Sequence, residues 1–155
     1  MANTYSQITI HGVFAVKHRE NLIINPFRDD VHQYISGILK GMDCKPFAVN
    51  GWLDHVHVLF ALPMTIGIAD VMEVVKTNSS KWINEQGFVP GTFQWQRGYG
   101  AFSLSKSHRD NAIKYIMNQE AHHGHITFKD EYEQLLNLYE VDWDERYVFE
   151  YYDLL

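Results

Sequence analysis

The sequence predicts an α+β protein: a ferredoxin-like β-α-β-β-α-β sandwich with a central antiparallel sheet and a further helix toward the C-terminus. Three observations carry that prediction. Runs of β-formers occupy residues 5–16 and 54–63, apolar residues recur at helical spacing between and after them, and Asn50-Gly51 separates two β runs. Taken in order, the elements match the split βαβ arrangement that closes into an antiparallel sheet. The whole chain, 1–155, reads as a single domain, with a core over about 4–125 and an acidic, aromatic extension over about 126–155.

The first strand is Tyr5 to Val16, followed by basic Lys17-His18-Arg19. Val31, Tyr34, Ile35, Ile38 and Leu39 mark a helix from Arg28 to Met42, with Asp29 and Asp30 suited to the positive end of its dipole. Cys44 to Val49 is a short strand, and Asn50-Gly51 turns it into a second one, Asp54 to Pro63. Ile68, Val71, Val75, Trp82 and Ile83 define a second helix near 67–86 with a polar stretch at 77–81. Phe93 to Leu104 reads as a strand interrupted at Gly98 and Gly100, which signal a bulge or close backbone approach. Ser107 opens a third helix, with Asp110 three residues on as a capping-box variant, and Phe128 to Tyr139 fits a short acidic helix. The segment from Trp143 to Leu155 carries Trp143, Tyr147, Phe149, Tyr151 and Tyr152, too apolar for a solvated tail, and is expected to pack on the body or on a partner subunit.

Composition narrows the function classes. No apolar run approaches the roughly 20 residues that span a bilayer, and Met1-Ala2-Asn3-Thr4-Tyr5 has no signal-peptide apolar region, so a cytoplasmic protein without membrane partners is expected. Cys44 is the single cysteine, which excludes an intrachain disulfide and a cysteine-based zinc cluster and leaves a small buried hydrophobe. The net charge of -6 is unevenly placed. Residues 1–129 hold 12 Lys+Arg and 10 Asp+Glu, a balance of +2, whereas 130–155 hold 9 Asp+Glu and only Arg146, a balance of -8. The body therefore neither excludes nor demands a nucleic-acid partner.

The chemistry centres on His55-Val56-His57. Alternation along a strand puts His55 and His57 on one face with Leu59, and Val56, Val58 and Phe60 on the other. Two imidazoles about 6.6 to 7 Å apart along the backbone can converge on one ion. In the third helix, Ile113, Ile116 and Met117 form an apolar stripe. At about 100° per residue, Tyr115 falls roughly 150° and Gln119 roughly 110° from its centre. Four apart, Tyr115 and Gln119 are neighbours that face either solvent or a second surface.

The His55-Val56-His57 strand and the Tyr115-Ile116-Met117-Asn118-Gln119 segment together resemble the HUH nucleases, and within them the small single-tyrosine transposases of insertion sequences. Leu59 and Pro63, Ser79-Ser80-Lys81-Trp82, the stretch from Trp95 to Ser103, and the ending with Phe128-Lys129-Asp130-Glu131-Tyr132 and Asp144-Glu145-Arg146-Tyr147 are also similar to members of that family. The resemblance covers roughly residues 4–125. It implies a DNA transposase in which a tyrosine, here Tyr115, attacks single-stranded DNA at a hairpin-marked end, keeps the 5′ phosphate and frees a 3′ hydroxyl. The covalent intermediate conserves the phosphodiester bond energy. A phenol is about one-thousandth ionised at pH 7, a deficit of about 4 kcal/mol, so a divalent cation, Mg²⁺ or Mn²⁺, is implied with His55, His57 and Gln119 as its ligands. The resemblance further implies a homodimer in which the tyrosine helix completes the partner's metal site.

Lys17, Arg19, Lys76, Lys81 and Arg97 are the candidate DNA contacts, with Trp95 or Tyr99 available to stack on unpaired bases; against these stands the plainer reading, in which an exposed basic residue is more often just solvated and Trp95 belongs to the core. His122-His123-Gly124-His125 is read as a helix end rather than a metal tract, and nothing places His11. Other readings stay open: a relative that processes chromosomal palindromes, a rolling-circle initiator, which the short chain and the Gln119 spacing fit less well, or a ferredoxin-like module that binds nucleic acid without chemistry.

Overall fold

The computed structural model describes residues 4–142, so the aromatic segment 143–155 lies outside the described residues. Its elements are β1 (Thr9–Ala15), α1 (Arg28–Gly41), β2 (Lys45–Gly51), β3 (His55–Ala61), α2 (Ile68–Gln86), β4 (Gly100–Leu104), α3 (Lys106–Met117), α4 (Gln119–His122) and α5 (Phe128–Leu138). The strands pair antiparallel in the order β2-β3-β1-β4, so that the first and third strands are central, as a split βαβ unit requires.

Alternation sorts the central strands onto two faces. Ile10, Phe14, Val56, Val58 and Phe60 meet Val31, Ile35 and Leu39 of α1 and Val71, Met72, Val75 and Ile83 of α2, and this is the main core, with Cys44 inside it. The opposite face carries the histidines and is also covered. Val13, Ala15 and Phe102 pack on Phe128, Leu135 and Leu136 of α5, while Ala48 and Leu59 pack on Ile116 of α3. Residues His55 to Phe60 are consequently buried on both faces. The sheet is thus sandwiched between two helical layers.

Three local expectations are corrected. Asn50 and Gly51 lie inside β2, paired with His57 and Val56, and residues 52–54 make the turn. Gly51 is demanded there by close approach, since a Cβ would lie 2.1 Å from the His55 carbonyl oxygen. The Ser107–Asp110 capping box is not formed: Ser105 is the N-cap of α3, and its hydroxyl bonds to Ser107 Oγ and His108 Nδ1. Phe93 to Leu104 yields a strand only from Gly100 onward, with Trp95 held by an isolated bridge to Val16. Gly100 is the close approach: a Cβ would meet Tyr132 of α5 at 2.8 Å.

Burial has a consequence for pH. His32 of α1 is 6% exposed, and its Nε2 has no hydrogen-bond partner. Burial outweighs the pull of Asp29 and lowers its pKa to about 4. The folded state therefore binds fewer protons than the unfolded one between pH 6.5 and 4. This contribution to stability is complete above about pH 6.5 and is lost as pH falls toward 4, by up to about 3 kcal/mol. Denaturant melts of His32→Leu at pH 7 and pH 4.5 are expected to show a smaller acid-induced loss than the parent; an equal loss would assign the acid lability elsewhere.

Candidate active site

The site is built on the covered face of the sheet. His55 and His57 of β3 sit opposite Ala15 and Val13 of β1, and Val13 in turn pairs with Gly100 of β4. Both rings are fully buried. Their Nδ1 atoms are tied back: His55 Nδ1 to Asp54 Oδ1 at 2.8 Å, and His57 Nδ1 to His11 Nε2 at 2.8 Å. Such partners fix ring orientation and aim the Nε2 atoms in one direction. Phe128 of α5 stacks on His55 with ring centroids 4.0 Å apart.

The helices bring the remaining groups. α3 ends at Met117, where Asn50 Nδ2 donates to the Ile116 carbonyl at 3.0 Å, and Asn118 alone separates it from α4, which begins at Gln119. Tyr115 and Gln119 both face the sheet. Gln119 is fully buried, its Oε1 2.9 Å from His55 Nε2. Tyr115 lies against His57, ring centroids 5.8 Å apart. Met117, counted in the apolar stripe, is 57% exposed, which undoes the angular argument for a face turned away from the body. The tyrosine–histidine pairing expected across two subunits is present within one chain.

Glu131 of α5, 1% exposed, stands at the centre and was passed over by sequence reasoning. It accepts hydrogen bonds from His57 Nε2 at 3.1 Å, His123 Nε2 at 3.0 Å, Gln119 Nε2 at 3.0 Å and the Tyr115 hydroxyl. His55 Nε2 and His122 Nε2 each lie 3.2 Å from it. The His122–His123 pair, read as a plain helix end, therefore belongs to the cluster. The sequence held one signal, the Phe128-Lys129-Asp130-Glu131-Tyr132 stretch similar to the family's ending, to which no site role was given. His11 joins the cluster by its register on β1, beside Leu59. Two groups of three donor atoms lie within 4.8 Å of one another, His55/His57/Glu131 and His122/His123/Glu131, and nitrogen plus carboxylate donors suit a divalent cation.

The electrostatics follow from packing. Burial alone would lower His55, but the hydrogen bonds and charges of Asp54 and Glu131 outweigh it and raise its pKa to about 9. Burial lowers His57, and burial with the neighbouring His57 lowers His11 to about 3. Burial opposes ionisation of Glu131, yet hydrogen bonds from His123, His55 and His57 hold its carboxyl far below the usual range. Burial first, then Glu131, push the Tyr115 phenol well above its ordinary value.

The candidate DNA contacts divide. Lys17, Lys76, Trp95 and Arg97 line one polar groove of about 400 Å³, together with Thr77, Ser80, Gln94 and Gln96. Lys17 Nζ donates to Gln94 Oε1 at 3.2 Å. Lys76 is a fastener: burial lowers its pKa, and its Nζ donates to the Gln96 and Gly98 carbonyls, both at 2.7 Å. Trp95 is corrected as a stacking platform. It is 8% exposed, makes T-shaped contacts with Phe14 and Phe93, and donates Nε1–H to Ser79 Oγ at 2.9 Å, so the ring is held in the core. Arg97 and Tyr99 are exposed, and Lys81 is exposed with Glu85 4.0 Å away. Arg19 sits in the turn after β1. A second cleft, about 460 Å³, opens beside Tyr115 and is lined by His11, Ser105, His108, Asn111 and Tyr139 among others. Among the described residues no helix is long and apolar enough to cross a membrane.

Two solved structures share the fold. A candidate transposase from Deinococcus radiodurans R1 superposes with a TM-score of 0.63 at 20% identity, covering 77% of this chain and 95% of that one. A REP-associated tyrosine transposase bound to a REP hairpin gives a TM-score of 0.59 at 13% identity, covering 81% and 74%. No curated protein matches the chain. Residues 4–119 match the family described as "Transposase IS200 like", and with that match over most of its length the chain belongs to the IS200-like family of DNA transposases.

Proposed function

We propose that this transposase cleaves and rejoins single-stranded DNA at hairpin-marked ends, through a covalent 5′-phosphotyrosine formed on Tyr115. One observation supports the reading above others: a tyrosine hydroxyl, two imidazole Nε2 atoms and a glutamine oxygen converge in one buried cluster of one chain. That convergence is what attack on a phosphodiester by a phenol needs. The hairpin assignment takes support from the REP transposase of similar fold, bound to its hairpin.

In this reading Tyr115 Oη bonds to phosphorus and the P–O3′ bond breaks. The phenol proton passes to solvent and the departing 3′ oxygen takes up a proton. Reversal with a new 3′ hydroxyl rejoins the strand. His55, His57 and Gln119 would hold Mg²⁺ or Mn²⁺, which polarises the phosphate and stabilises charge that develops on it. The donor set fits such an ion, and the buried His122 Nε2, without a hydrogen-bond partner beside Glu131, marks the cluster as one whose polar atoms are not all satisfied by the protein. His11 and Asp54 keep the two ligand rings in place through their Nδ1 atoms. Gln119 bridges His55 and Glu131, which leaves its amide one orientation. The groove with Lys17 and Arg97 supplies charge and polar contacts for a strand backbone.

Incubation with labelled, hairpin-bearing single-stranded DNA and Mn²⁺ is expected to yield an adduct that survives denaturation. Tyr115→Phe is expected to lower the yield at least 1,000-fold, an order set by typical losses of a nucleophile, while retaining DNA binding in a mobility-shift assay. An adduct of equal yield from that variant removes Tyr115 from its role.

A complementation assay separates action within one chain from action across a dimer. Tyr115→Phe and His57→Ala, each inactive alone, are mixed before DNA is added. Assembly within one chain predicts no adduct above either variant; recovered adduct on the His57→Ala chain would establish a site shared between subunits.

A further inference from the structure

Helix α5 lies beyond residue 119, where the family match ends, yet it sends Glu131 into the middle of the site. The two carboxylate oxygens have different surroundings. Oε1 lies 3.2 Å from His55 Nε2, 3.1 Å from His57 Nε2 and 3.0 Å from His123 Nε2. Oε2 accepts from the Tyr115 hydroxyl and from Gln119 Nε2 at 3.0 Å, and lies 3.2 Å from His122 Nε2.

Hydrogen-bond valence makes the Oε1 side unusual. His55 Nδ1 faces the Asp54 carboxylate at 2.8 Å and His123 Nδ1 faces the Ile126 carbonyl at 2.9 Å. Both Nδ1 atoms therefore donate, and a ring that gives up its Nε2 proton to bind a cation turns that lone pair into the space beside Glu131. Lone pairs and a carboxylate oxygen converging in a buried space repel unless a positive centre joins them. The spacing fits a metal ion as that centre: ligands at right angles on an octahedral cation, each about 2.1–2.2 Å from it, stand about 3.0–3.1 Å apart. His55 Nε2 and His57 Nε2 stand 3.2 and 3.1 Å from Oε1. Charge points the same way. His55, His57 and Gln119 are neutral as ligands and would leave a dication uncompensated in a buried site, where an unpaired charge is costly. One carboxylate and one substrate phosphate bring the total to zero.

We infer that Glu131 is an anionic ligand of the divalent cation, through Oε1, at the site formed with His55, His57 and Gln119, and that Oε2 of the same carboxylate holds the Tyr115 hydroxyl. The C-terminal helix is then part of the catalytic centre, tying the position of the nucleophile to that of the metal. This rests on the metal-dependent reading above.

Mn²⁺ titration of the full chain, followed by loss of the free-ion electron paramagnetic resonance signal and by melting temperature, tests it without DNA. The wild type is expected to bind one ion and melt higher with it. Glu131→Gln is expected to weaken Mn²⁺ at least tenfold, and Glu131→Asp to recover part of the loss. A folded Glu131→Gln protein that binds Mn²⁺ within twofold of wild type overturns the assignment; a lower metal-free melting temperature in that variant would then leave Glu131 an ion-pair partner only. Unchanged Mn²⁺ binding with tighter inorganic phosphate would make it a stand-in for the phosphate, which also overturns it. Should Glu131→Gln fail to fold, wild-type crystals soaked in Mn²⁺ decide: an anomalous peak within bonding distance of a Glu131 oxygen supports the ligand role, and a peak bound by the histidines alone refutes it. Absence of any Mn²⁺ binding by the wild type overturns both this inference and the metal-dependent function, whereas wild-type binding that Glu131→Gln leaves untouched overturns this inference alone.

Discussion

A carboxylate that is 1% exposed persists inside a protein only when its lone pairs are filled. Glu131 fills them with donors drawn from β3, α3, α4 and the turn that follows α4. The carboxylate is the common partner of these four segments. The consequence runs in both directions. α5 can dock only where imidazoles and a phenol already converge, and those groups can converge in a buried space only because α5 supplies a negative charge. Apolar packing of Phe128, Leu135 and Leu136 on Val13, Ala15 and Phe102 gives the docking its driving force, while Glu131 gives it a register.

The sheet explains why such a cluster is tolerated. Parallel burial of both faces normally requires apolar residues throughout a strand, and β3 meets that demand on one face with Val56, Val58 and Phe60. On the other face His55 and His57 take positions that Leu59 shows to be core-facing. Their polar atoms are accounted for by Asp54, His11, Gln119 and Glu131, so the face is closed by a hydrogen-bonded network in place of hydrocarbon. Networks of this kind are costly if one member is lost, which argues that the polar members are held for chemistry.

What was legible in the sequence is what depends on short-range periodicity. The β3 alternation placed both histidines on one face, the apolar spacing of α1 and α2 located those helices to within a residue or two, and the element order carried the strand arrangement. What was not legible depends on tertiary contact. Asn50-Gly51 has the composition of a turn, yet β2 continues through it because the chain must pass close to the His55 carbonyl. The angular count on α3 took Met117 as part of the buried stripe, whereas Met117 is exposed and Tyr115 packs with Ile116 onto the sheet. Trp95 shows the same limit: an aromatic amid glycines and basic residues reads as a surface platform until Ser79, Phe14 and Phe93 enclose it. Glu131 looked like one more charge in an acidic segment, because nothing local distinguishes a carboxylate that solvates a helix from one that meets four imidazoles and a phenol.

The same buried charge restrains the phenol. Tyr115 is half-buried beside an ionised carboxylate, and both burial and that charge oppose loss of its proton. The contact that positions the hydroxyl is thus the contact that keeps it unreactive, and a second positive centre at Glu131 is needed before the phenol faces a less hostile field. His55, raised to about 9, supplies one positive charge in the resting protein, but its proton occupies the Nε2 atom that a ligand role requires free. If Tyr115 is the nucleophile as proposed, its positioning and its activation are separable: the fold holds the hydroxyl against Glu131, and the same buried charge opposes loss of its proton.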